Sequence, residues 1–167
     1  MRRLRAGLLA LLLALGACAQ AEPEAAPSPS AAEWLMSVRS AHLQADGALS
    51  AGELERAASV LRGVAGAGAP SEVSTEHGRV VLQDLMFRLA EVELERAQHD
   101  AALVAADAGL AHGRGDDVFT ANLLIARGAA LEAKGRDTEA AASYYEALEI
   151  NRALLAELLE APDGGGR

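Results

Sequence analysis

Apolar residues recur every three or four positions along most of this chain, the pattern of helices that bury one face. Segment 31–45 shows it, with Trp34, Leu35, Val38 and Ala41 on one side. Runs of alternating β-branched residues are absent, so the sequence predicts no sheet. The pattern predicts six helices, over residues 31–45, 51–64, 72–98, 101–112, 117–134 and 138–160.

Polar residues and glycines mark the expected helix ends. Asp46-Gly47 should end the first helix, and Ser50 with Glu53 matches a capping box for the second. A Gly- and Pro-containing linker follows at 66–70. Further expected caps and terminators are Asp100, Asp116 or Asp117, Gly135 and Asp137.

The six helices form three helix-turn-helix pairs, 31–64, 72–112 and 117–160. A pair this small buries its own apolar face poorly, whereas stacked pairs bury their faces against one another, as helical repeats do. We therefore expect an all-α domain of stacked pairs over residues 31–160.

The last pair resembles a tetratricopeptide repeat. The resemblance implies that Gly128 and Ala140 let two helix backbones approach closely. It also implies that Gly135 makes the turn and that Tyr144 fills the space between adjacent pairs. Arg152 stands where the family has a proline, which leaves the end of the sixth helix near Ile150 in doubt. The matching residues are Leu124, Gly128, Leu131, Gly135, Ala140, Tyr144 and Ala147.

The preceding pair fits the same pattern loosely. Small residues recur after a shift of 38 positions, but Glu93 interrupts the apolar pattern, and the first pair fits less well. The resemblance therefore covers one repeat of about 34 residues, and a different helical bundle remains the alternative. The shifted positions are Ala90, Glu93, Ala97, Ala102, Ala106 and Gly109.

The N-terminus has the features of an export signal. Three arginines lie within Met1 to Arg5, and a 12-residue apolar run extends from Ala6 to Ala17. A helix of that length rises about 18 Å, too short for a hydrocarbon core of roughly 30 Å. Residues 1–17 are therefore predicted to be a signal peptide rather than a membrane span.

The end of this run, Leu15-Gly16-Ala17-Cys18, resembles the lipobox of bacterial lipoproteins. The resemblance implies a diacylglycerol thioether on Cys18, cleavage before it, and acylation of the new amino group by a chain such as palmitate. Asp at the next position resembles an inner-membrane retention signal, so Ala19 implies the outer membrane. We expect the domain on the periplasmic side of that membrane. An ordinary secretory signal is the alternative.

Two polar segments flank the predicted domain. Residues 18–30 contain three prolines and no large apolar side chain, which is typical of an extended tether. Residues 161–167 are predicted to be a disordered tail. Cys18 is the only cysteine, so no intrachain disulfide can form.

The net charge of the predicted mature chain limits the classes of molecule that it could bind. Removing the three arginines of the signal leaves 12 basic residues against 24 acidic ones, a net charge of −12. This sign argues against nucleic acid and anionic lipid surfaces as ligands. The one Trp, two Tyr and two Phe argue against a base-stacking platform.

Segment 42–53 resembles an EF-hand loop, which makes a calcium-responsive binding protein an alternative function. His42 and Gln44 take the first two ligand places, so few anionic oxygens remain for calcium. A turn followed by a capping box explains the same residues. The matching residues are Asp46, Gly47, Leu49, Ser50 and Glu53.

Signals of catalysis are weak. None of the four histidines, at 42, 77, 99 and 112, lies three or four residues from another, so no helix face presents a metal pair. Phosphate loops and serine-nucleophile motifs are absent from the sequence. We expect no enzyme, no cofactor and no metal, and an envelope hydrolase is the weakest alternative.

These observations predict a lipid-anchored envelope protein. Its helical-repeat domain would bind a segment of another envelope protein in a groove, as a scaffold or assembly factor. Arg88, Arg127 and Tyr144 are the candidate groove residues.

Overall fold

The computed structural model describes residues 29–160, which form an all-α fold of six helices. The predicted signal peptide, the lipobox with Cys18, most of the tether and the tail lie outside this range. No helix among the described residues is both long and apolar enough to cross a membrane. The helices are α1 (Ala31–Ser50), α2 (Leu54–Ala65), α3 (Thr75–Glu95), α4 (His99–Ala111), α5 (Val118–Ala133) and α6 (Asp137–Glu160).

Helix α1 continues five residues beyond its predicted end. Asp46-Gly47 does not terminate it, because Ala45 and Ala48 are buried on either side and helical packing outweighs the local turn signal. The capping box lies instead at the start of α1, where Ser30 accepts a hydrogen bond from the Glu33 amide and Glu33 accepts one from the Ser30 amide at 2.8 Å.

The predicted capping box of Ser50 and Glu53 is wrong. The Ser50 hydroxyl lies in the last turn of α1 and donates to the Asp46 carbonyl at 2.8 Å. Glu53 occupies the N-cap position of α2, but its side chain caps no amide and accepts from Arg56 at 2.9 Å.

The fourth helix begins before its predicted cap, and the sixth begins at its predicted cap. The N-cap of α4 is Gln98, so Asp100 lies inside its first turn. Asp137 is likewise the first residue of α6 rather than the residue before it. At α3, Ser74 is the cap and accepts from the His77 amide at 3.2 Å.

Other predicted boundaries are confirmed. Asp117 caps α5 by accepting from the Thr120 amide at 2.9 Å. Gly135, with φ +71°, follows the last turn of α5 as a terminator. Helix α6 extends to Glu160 without the break that a proline at Arg152 would have caused.

The three helix pairs share one turn. Gly52, Ala97 and Gly135 all have a left-handed backbone, with φ of 74°, 56° and 71°. The amide of the next residue bonds back five residues in each case, at 2.8 Å to Ala48, 2.8 Å to Glu93 and 2.9 Å to Leu131. This is the Schellman arrangement. The turns are 45 and 38 residues apart and fix equivalent positions in the three pairs.

The core runs through successive pairs. Trp34 of α1, Leu61 of α2 and Leu85 of α3 are buried in one cluster that extends to Ala105 of α4 and Ala126 of α5. Each helix packs on the next, and α3 also packs on α5. A smaller cluster joins α5 and α6 to Leu110 of α4.

The shared turn predicts opposite effects of exchanging Gly and Ala. A non-glycine residue in the left-handed region costs about 1–2 kcal/mol. We expect Ala97→Gly to raise the free energy of unfolding by about 1 kcal/mol and Gly135→Ala to lower it by a similar amount, measured by urea denaturation. A Cβ at Gly135 would meet no atom within 4 Å, so that variant isolates the backbone effect. Destabilisation by Ala97→Gly would contradict the equivalence of the turns.

Candidate interaction surfaces

The residues predicted from the repeat resemblance lie between α5 and α6. Leu124, Leu131, Ala140 and Ala147 are buried. A Cβ added to Gly128 would lie 2.5 Å from Cε1 of Tyr144, so the Tyr144 ring occupies the space that the glycine leaves open. Tyr144 thus packs within its own pair, whereas the sequence placed it between pairs.

The Tyr144 hydroxyl donates to Glu132 Oε2 at 2.9 Å. Burial of the ring and the nearby carboxylate of Glu132 raise the pKa of Tyr144 above its ordinary value. The hydroxyl therefore stays protonated and acts as a hydrogen-bond donor that joins α6 to the end of α5.

Small buried residues recur where the helices of each pair approach. Ala45 and Ala90 occupy the positions equivalent to Gly128, and both are fully buried. Ala57 and Ala102 correspond to Ala140 and are equally inaccessible. The first pair therefore repeats these small buried residues at an offset of 45, which a search at an offset of 38 misses.

Glu93 interrupts the apolar pattern because it has a charged partner on each side. Its side chain is 1% exposed and accepts from Arg62 of α2 and Arg96 of α3. Arg96 also binds Glu55 in the first turn of α2. A buried carboxylate is tolerated only when it is paired in this way. These contacts therefore explain why the second pair has Glu93 at the position where the last pair has Leu131.

The Arg96–Glu55 contact has a counterpart in the next pair. Lys134, 38 residues after Arg96, binds Asp100, 45 residues after Glu55. At both junctions a cation lies near the end of the first helix of one pair. It binds an acid in the first turn of the second helix of the pair before it. Such exposed pairs contribute little stability individually, so we interpret them as setting the register between pairs.

Arg79 ties the start of α3 to the α4–α5 connection. It donates to Glu76, Gln83 and Asp117, the last two at 2.6 Å. Gln83 is fully buried and donates to the Gly113 carbonyl at 2.6 Å. The hydrogen bonds that Arg79 makes to Glu76 and Asp117 raise the pKa of its guanidinium above the usual range.

One side of α1, α3 and α5 carries equivalent, accessible residues that we call the first-helix face. The members on each helix are spaced by four, three and four residues, which puts them on one side of the helix. His42 Nε2 lies 3.3 Å from Asp84 Oδ2 and links α1 to α3. The face consists of Leu35, Arg39, His42 and Asp46 on α1, Val80, Asp84, Phe87 and Glu91 on α3, and Val118, Asn122, Ile125 and Ala129 on α5.

The first-helix face contains two apolar rows. Leu35, Val80 and Val118 are equivalent and form the first row, while Phe87 and Ile125 form the second beside His42. Leu35, Val118 and Ile125 are 49%, 48% and 42% exposed. On α3, the carboxylate of Asp84 lies between the two rows, and Asp46 and Glu91 follow the second row on α1 and α3. Burial raises the pKa of the Glu91 carboxyl, although Arg88 nearby lowers it.

The three candidate groove residues are not brought together. Arg88 binds Asp46 beside the first-helix face. Arg127 donates to Asp107 at 2.8 Å and to Ser143 at 2.7 Å, in a polar depression between α4 and α6. Tyr144 packs on Gly128. The sequence shows that these side chains are large and polar. It does not show which neighbouring residues neutralise their charge or cover them in the fold.

The EF-hand-like segment does not form a loop. Residues 42–50 belong to α1, and Asp46 binds Arg88. Within residues 29–160, no three His, Cys, Asp or Glu side chains gather as a metal site. The helix removes the loop geometry on which the calcium alternative depended.

Comparison with protein-family models, with curated proteins and with solved structures gave no significant match.

Asp117 provides a pH-dependent test of this geometry. Burial pushes the pKa of Asp117 up, but hydrogen bonds from Thr120 and Arg79 outweigh it and hold the pKa below the ordinary value. A lowered folded pKa stabilises the fold above the unfolded value, about 3.9, and this contribution disappears as the pH falls through the folded pKa.

We expect Asp117→Asn, which keeps a capping side chain but loses the charge, to lower the free energy of unfolding by about 1 kcal/mol at pH 7. In urea denaturation, the difference from the unmodified chain should shrink as the pH falls below the unfolded pKa of about 3.9 and through the lowered folded pKa. Asp116→Asn is the matched control and should change little. A pH-independent difference would argue against the charged Asp117–Arg79 contact.

Proposed function

We propose that this chain is a lipid-anchored envelope protein whose helical domain binds a segment of another envelope protein, as a scaffold or assembly factor. The observation that carries the proposal is the first-helix face, where apolar residues recur at equivalent places on α1, α3 and α5. An extended binding surface of this kind is a general property of stacked helix pairs.

The tetratricopeptide-like interpretation supports the same proposal. The shared turns, the small-residue contacts and the packing of α3 on α5 are the features that such stacking requires. In this arrangement the first helices of successive pairs line a common surface.

The anchor rests on the lipobox resemblance at Cys18 and on the tether of residues 18–30. A single acyl chain gives only marginal membrane binding, and two or more hold a protein stably. The proposed location is the outer membrane, which follows from Ala19, and we place the domain on its periplasmic side.

Cys18→Ser tests the anchor. The unmodified chain should be processed, carry acyl groups by mass spectrometry and sediment with membranes, whereas Cys18→Ser should remain unprocessed or become soluble. Ala17→Ser, which keeps a small residue at the cleavage site, is the control and should behave as the unmodified chain. Processing and sedimentation that do not depend on Cys18 would contradict the proposal.

Site-specific photocrosslinking in cells tests the binding face. A crosslinking amino acid at Val118 or Ile125 should give a discrete protein adduct, and one at Val104, which is 68% exposed on α4, should not. Equal labelling from all three positions, or none from the face, would contradict a binding role for the first-helix face.

A further inference from the structure

We draw no further inference here: the strongest candidate, the exposed apolar face of α6 formed by Tyr145, Leu148, Leu155 and Leu159, carries no proposal because nothing in the structure shows what covers it.

Discussion

The close contact of small residues between helices is the constraint on which this structure depends. Gly128 leaves room for the Tyr144 ring, and Ala45 and Ala90, at the equivalent positions of the first two pairs, are fully buried. Alanine and glycine have little apolar area of their own to bury. Each pair must therefore complete its core with its neighbour, which is why Trp34 and Ala126, on α1 and α5, belong to one cluster.

Charged residues follow from the same constraint. The second helix of a pair contacts the next pair through an ion pair. Glu55 of α2 binds Arg96, and Asp100 of α4 binds Lys134. Ala51 stands where the later pairs have Arg96 and Lys134, so the first pair has no cation at this position.

Helical periodicity predicted all six helices, and the polar residues offered Asp116 or Asp117 as the cap of α5, which is Asp117. It failed where short-range and long-range interactions compete. Asp46-Gly47 looks like a helix end, but burial of Ala45 and Ala48 carries α1 through it. Glu93 looks like a break in the pattern, and only the folded structure brings Arg62 to it. Cys18 and the anchor were predicted from the sequence alone and stay predictions.

Hydrogen exchange of the Leu85→Ala variant tests most directly whether the pairs depend on one another. Leu85 is fully buried in α3, at the middle of the main cluster. Its truncation should cost about 2–5 kcal/mol, and amide protection should fall in α1, α2 and α5 as well as in α3 and α4. Protection that falls only in α3 and α4 would show that the outer pairs fold on their own, and would contradict the account.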